Sequence, residues 1–349
     1  MAKRNAAMLD KNFDIPDNIN KDGLAFYDAE SLDVYGVKLI DGKYRRMRAE
    51  DAEKVNSMIL AISSESAGGR VRFATNSARI AIYAEYASVA KVPNYPFSAT
   101  MGFDIYSDER FVGVFVPPFD ATESYESIIN TPFRDGKMHE YTVNFPICSE
   151  VVRLLIGVNE DATITAGAEY TEKNPVVYYG SSTTQGACAS HPGCSYECMV
   201  SRAIGCDFVN LGFWGNAKGE EEMAKYIAGL NMSAFVYDYD YNAPSAEHLA
   251  ATHEKMFRII REAQPNLPIV IMTAPIPYLD DVTSLRAEII YKTYKNALAS
   301  GDGNVYFING SEVLAPVRDA SLTDNIHPGD IGFRAIADSL IPILKRILL

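Results

Sequence analysis

The stretch PVVYYGSSTTQG, residues 175–186, decides how the rest of the chain is read. A short apolar run ends at Gly180, two serines follow, and a helical pattern comes after them. Short apolar runs bounded by turn residues are the mark of strands buried on both faces. Comparable runs recur at DFVNLG (207–212), SAFVYDYD (233–240), LPIVIMT (267–273) and NVYFING (304–310). Helical patterns fall between them, near 194–204, 219–229, 246–263, 284–299 and 331–348. Strand–helix alternation of this kind predicts a parallel sheet with helices on both faces.

Upstream of residue 175 the rhythm is different. RIAIYAEY (79–86) alternates Ile80, Ile82, Ala84 and Tyr86 against Arg79 and Glu85, the period of a half-buried strand. FDIYSDERFVGVFV (103–116) reads as a hairpin about a Ser-Asp-Glu-Arg turn, and EYTVNFPI and EVVRLLIGV add further strands. One helix is expected over about 51–62, where Val55, Met58, Ile59 and Ile62 share a face. Many short strands with few helices predict a β-sandwich. The polar segment 159–174 is the natural boundary, so the expected domains are 1–170 and 171–349, consistent with a chain long for one core.

The chain has 349 residues, 48% of them apolar, and a net charge of −13. That charge repels phosphate backbones and anionic lipid surfaces, so neither nucleic acid nor a membrane is an expected partner. A small molecule or an oligosaccharide suits it better, and self-association into a homo-oligomer stays open. The first residues, MAKRNAAMLDKNFDIPDNINKDG, lack the apolar core of a secretory signal. The longest apolar stretch, LPIVIMTAPIP, is too short to span a bilayer. Five cysteines form no secreted-type framework, so a reducing cytoplasm is expected.

Reactive residues of an open parallel sheet gather at the carboxyl ends of its strands. Those ends hold Gly180-Ser181-Ser182, then Asn210-Leu-Gly-Phe-Trp-Gly215-Asn216, then Asp240-Tyr-Asn242, with Asp324 and His327 before the last helix. This set resembles the SGNH (GDSL-type) hydrolases, whose blocks supply a serine, a glycine, an asparagine and an Asp-x-x-His pair in that order. The fold so implied is a flavodoxin-like three-layer α/β/α domain with a five-stranded parallel sheet. GFDIY (102–106) resembles the Gly-x-Asp-Leu-Tyr signature of a jelly-roll-like β-domain that precedes some SGNH modules.

The resemblance assigns Ser182 as nucleophile, His327 as base and Asp324 as its orienting carboxylate. It places the oxyanion donors on the N–H groups of Ser182 and Gly215 and the side-chain amide of Asn242. The sequence departs from the family pattern at Ser181, where an acidic residue is usual, at Asp240, where glycine is common, and at Trp214, where a small residue is usual. Trp214, the single tryptophan, is a candidate substrate contact.

Other polar residues have plainer expected roles. Asp330 reads as the cap of the last helix, and Asp238 and Asp240 as carboxylates on opposite or solvated sides of a strand end. Cys188, His191, Cys194 and Cys198 are spaced unlike a structural zinc site and should line or underlie a pocket wall. His139, His248 and His253 fit surface positions, and 92–106, rich in aromatics and turn residues, is a candidate pocket cover. No metal and no cofactor are expected. The resulting expectation is a serine esterase that removes acetyl or similar short acyl groups from carbohydrate hydroxyls. A lipid or thioester hydrolase and a non-catalytic carbohydrate-binding protein are the alternatives.

Overall fold

The computed structural model describes residues 8, 10–11, 15–16 and 18–349; most of the N-terminal stretch read for a leader lies outside them. Two antiparallel sheets come first. One orders Leu24–Asp28, Glu150–Asn159, Arg79–Ser88 and Ser124–Asn130; the other is built on Arg70–Thr75, His139–Asn144, Phe103–Ser107 and Arg110–Phe115, with Ile164–Ala166 and Asp33–Tyr35 at its margin. Alternate residues point inward, so Ile80, Ile82, Leu154 and Ile156 of one sheet meet Val71, Phe73, Ile105 and Val143 of the other in a shared core. The hairpin at 103–115 turns on Asp108 at φ 51°, a left-handed position that Asp tolerates better than most residues.

The expected helix over 51–62 is instead two helices, Ala49–Val55 and Ser57–Ile62. Asn56 splits them. Its backbone is extended, and its side-chain oxygen accepts from the N–H groups of Met58 (3.0 Å) and Ile59 (2.9 Å), capping the second helix.

The second half is a parallel sheet of five strands: β1 (Glu172–Gly180), β2 (Cys206–Gly212), β3 (Ala234–Asp238), β4 (Ile269–Met272) and β5 (Val305–Ile308), in the order 2-1-3-4-5. This is the flavodoxin-like order, with its switch point between β1 and β3. Val177 and Tyr179 face helices Glu221–Ala228, Ala246–Ala263 and Asp281–Ala299; Val176 and Tyr178 face Tyr196–Ile204 and Asp330–Leu348. The three-layer α/β/α domain behind a β-sandwich is therefore present as read from the sequence.

The two halves are stitched together. Met47, Ala52, Ile59 and Ile62 share a core with Tyr179, Phe213, Met223 and Phe257. Arg46, buried between the halves, donates to the carbonyls of Ile62, Glu65, Asn210 and Gly212, and its guanidinium lies 4.8 Å over the Phe213 ring. A buried cation is tolerable here because carbonyl dipoles and an aromatic face replace its water.

Candidate active site

The site forms where β1, β2 and β3 end side by side. Gly180 is in register with Gly212 on one side and Asp238 on the other, so the three segments leaving these strands emerge together. Close approach explains two glycines. A Cβ on Gly180 would overlap Asp238 Oδ1 and Thr184 Oγ1, and one on Gly212 would overlap the Gln185 backbone. The short helix Ser182–Gln185 can thus lie against the sheet edge. Ser181 caps it by accepting from the Thr183 N–H at 3.2 Å. Serine and aspartate are comparable caps, so the missing acidic residue at 181 leaves the helix start intact.

Ser182 Oγ lies 2.9 Å from His327 Nε2, and His327 Nδ1 lies 2.8 Å from Asp324 Oδ2. The other Asp324 oxygen accepts from the N–H groups of Ile326 and His327, each at 2.7 Å. Burial pushes the Asp324 carboxyl up, but those N–H groups and the imidazole outweigh it and hold it at about 2. Ser182, His327 and Asp324, 145 and 3 residues apart in sequence, are one hydrogen-bonded chain.

Gly215 stands at φ 69° with open space where a Cβ would lie, on a turn closed by Phe213 O accepting from Asn216 and Ala217. Asn242 receives the Ala217 N–H on Oδ1 at 3.3 Å, which fixes the amide so that Nδ2 is its donor. Arg286 holds the turn that carries Asn242 by donating to the carbonyls of Asp240 and Ala243.

Trp214 is half-buried against the α/β core, with its indole N–H enclosed and turned toward Glu65. It presents only part of its ring outward, less than a free stacking platform would.

Sequence reasoning did not single out the residues that brace this arrangement. Gln185 accepts the Trp214 backbone N–H (3.2 Å) on Oε1 and donates through Nε2 to Ile147 O (2.9 Å) and to the Glu65 carboxylate. One amide thus ties the serine helix, the glycine turn and the β-sandwich together. Burial pushes the Glu65 carboxyl up to about 7, against the opposing pull of Arg46. The stretch 92–106 does reach the site: Asn94 donates to Asp324 Oδ2, and the Tyr95 ring meets His327 edge-on with centroids 5.6 Å apart.

Several expectations are corrected. Asp238 and Asp240 are both buried: Asp238 accepts from Thr184 Oγ1, and Asp240 accepts from the Ala274 N–H at 2.9 Å. They fasten loops rather than face solvent. Gly329 caps the last helix, and Asp330, the residue after it, accepts from the Ser190 N–H (2.9 Å) and hydroxyl (2.6 Å). His253 is a core residue, stacked on Tyr237 with Nδ1 2.8 Å from Thr293 Oγ1.

The cysteine–histidine run is split rather than gathered. Cys188 faces Asp324, while His191 bridges Asp104 of the GFDIY signature to Cys194, whose Sγ is 3.3 Å from Nε2.

Two family models match the sequence: the GDSL-like lipase/acylhydrolase family over residues 173–345, and the GxDLY model, the N-terminus of SGNH-hydrolase-type esterases, over 24–164. The chain belongs to the SGNH (GDSL-type) hydrolases. Among solved structures, this SGNH hydrolase is similar to a "putative GDSL-like lipase" from Bacteroides ovatus, at 27% identity and TM-score 0.84 over 93% of this chain and 98% of that one. It also shares its fold with a salicylyl-acyltransferase from a tetracycline biosynthetic pathway (19% identity, TM-score 0.75) over 93% of this chain and 98% of that one. An acetyl xylan esterase from Butyrivibrio proteoclasticus (12%, TM-score 0.61) aligns over the same shares of the two chains. No functionally curated protein matches the sequence.

Proposed function

We propose that this SGNH hydrolase is a serine esterase that removes short acyl groups, acetyl foremost, from carbohydrate hydroxyls. The observation that carries the reading is the chain from Ser182 Oγ through His327 (2.9 Å) to Asp324 (2.8 Å). A serine hydroxyl becomes a useful nucleophile when a base takes its proton as it attacks. His327 Nε2 is placed to do so while Asp324 keeps the proton on Nδ1. The Ser182 oxygen attacks the ester carbonyl, and the N–H groups of Ser182 and Gly215 with the Asn242 amide receive the developing oxyanion. Each such donor contributes roughly 3–4 kcal/mol to the transition state. His327 then protonates the leaving alcohol and activates water to release the acyl group.

The carbohydrate part rests on fold-level similarity to carbohydrate esterases that span both halves of the chain, and on an acidic composition suited to neutral substrates. The β-sandwich takes part through Asn94 and Tyr95, which cover the histidine–aspartate side of the site. Five unpaired cysteines support a reducing compartment such as the cytoplasm, and among the described residues no helix is long and apolar enough to cross a membrane.

Ser182→Ala should reduce 4-nitrophenyl acetate turnover to background while leaving the fold intact. Retained turnover sinks the assignment.

A second reading, hydrolysis of lipid esters or thioesters, is favoured by one feature. Tyr278, Leu279, Val282 and Leu285 are exposed on the segment that follows β4, and Ile326 is exposed on the loop of Asp324 and His327. Rates across acyl lengths separate the two readings, with acetate release from acetylated xylan and mannan oligomers supporting the first and octanoyl preference the second.

A further inference from the structure

Among the described residues Cys188 is one of four non-glycine residues with positive φ, at 68°, and its thiol is buried. Holding a side chain in the left-handed region costs on the order of 1–3 kcal/mol, and such strain persists where the surrounding structure enforces it. Here that conformation aims Sγ at the back of the site. The sulfur is 3.4 Å from the Asn94 carbonyl oxygen and 4.0 Å from Asp324 Oδ2.

The ligand atoms of Cys188, Asp324 and His327 all lie within 4.8 Å of one another, and among the described residues this is the one such group of three. The Asp104–His191–Cys194 set does not qualify, because its donors run in a line through the two opposite ring nitrogens instead of converging.

We infer that Cys188, Asp324 and His327 form an inhibitory site for a thiophilic divalent cation of the zinc class. The inference rests on the proposed role of His327. One thiolate, one imidazole and one carboxylate are ligands that such a cation takes, with a fourth position left for water. Tetrahedral zinc separates its ligand atoms by about 3.3–3.8 Å, so the present spacing needs only small side-chain shifts.

Binding releases the thiol proton to solvent. With the metal on His327 Nδ1, the single proton of the neutral imidazole moves from Nδ1 to Nε2. The ring can then no longer accept the proton of Ser182, and turnover stops although the serine is untouched. Asn94, which donates to the same Asp324 oxygen, must release it for the metal to enter.

Two measurements on the full chain test this. Hydrolysis of 4-nitrophenyl acetate is titrated with Zn2+ and then with EDTA, and Co2+ is added separately to look for thiolate-to-cobalt charge-transfer absorption in the near ultraviolet. The wild type should be inhibited reversibly and should show the band. Cys188→Ser should abolish the band and raise the half-inhibiting Zn2+ concentration at least about tenfold, each variant being compared with its own uninhibited rate. Cys188→Gly, which suits the left-handed backbone, is the second variant if serine disturbs folding, and Cys194→Ser should retain both responses. Absence of the band in the wild type, or unchanged Zn2+ sensitivity in both Cys188 variants, overturns the inference. Should the protein hydrolyse no ester, the cobalt band alone decides, so failure of the metal site stays distinct from failure of the esterase reading.

Discussion

Asp324→Asn is the most informative single change because the structure fixes how the new side chain must sit. Both backbone donors, Ile326 N–H and His327 N–H, converge on Oδ1 at 2.7 Å. An asparagine therefore keeps its carbonyl oxygen there and turns its NH2 group into the place of Oδ2. That group then faces His327 Nδ1, 2.8 Å away in the parent protein, and also the Asn94 amide that donates to Oδ2. His327 can satisfy the new donor only by accepting on Nδ1, which moves its proton to Nε2, the nitrogen 2.9 Å from Ser182 Oγ. The ring becomes a donor where a base is required.

The expected loss in kcat/KM is about 10⁴-fold, the size known for this change in a serine-protease triad. Stability should fall as well. A carboxyl held at about 2 instead of its ordinary 3.8 stabilises the fold at neutral pH, and with 26% of the side chain exposed, screening reduces this to about 1–2 kcal/mol. The sign is that of a depressed acid: the contribution is complete above about pH 4 and disappears as pH falls toward 2. Initial rates on 4-nitrophenyl acetate and urea unfolding at pH 7 measure both effects. A variant folded at pH 7 and within tenfold of parental kcat/KM would refute the tautomer argument.

Other consequences follow from the bracing residues. The Glu65 carboxyl is raised by burial to about 7 from 4.5, so the folded state binds that proton more tightly than the unfolded chain does. Stability should then decline by about 1.4 kcal/mol per pH unit between these values and level off above them. Glu65→Gln should flatten that slope in thermal melts from pH 5 to 8, and an unchanged slope assigns it elsewhere. Asn242→Ala should lower kcat about 10²–10³-fold with little change in KM, as expected of a donor used in the transition state; a pure KM effect argues for a ground-state contact. Gly180→Ala forces a methyl against Asp238 and Thr184 and should cost at least about 1–3 kcal/mol in denaturant unfolding. An unaltered midpoint would show that the strand end yields.

What the sequence made legible was what repeats along the chain or sits at a strand end. The five parallel strands announce themselves because both faces are buried, so Val176 to Tyr179 form an unbroken apolar run despite pointing in opposite directions. Ser182, Asp324 and His327 were readable because their order and block context resemble a known family, while their hydrogen bonds depend on loops that no periodicity describes.

The misreadings share a physical cause. Asp238, Asp240 and His253 looked like surface residues because polar side chains usually are. Each is buried on a particular partner: Thr184 for Asp238, the Ala274 N–H for Asp240 and Thr293 for His253. The helix over 51–62 failed at Asn56, where a side chain that competes for backbone N–H groups outweighed the continuous apolar face.

The bracing by Arg46, Glu65 and Gln185 was beyond sequence reasoning for a different reason. Three of its contacts join residues 120 to 166 apart, Gln185 to Glu65 and Arg46 to Asn210 and Gly212, and neither end carries a local pattern. They connect the β-sandwich to the carbonyls of Asn210 and Gly212 and to the serine helix, whose Gln185 in turn accepts from the Trp214 backbone N–H. The sandwich is therefore part of what holds the Gly215 turn in place beside Ser182. A change confined to the sandwich side, such as Arg46→Met, should lower kcat without touching any residue of the serine–histidine–aspartate chain.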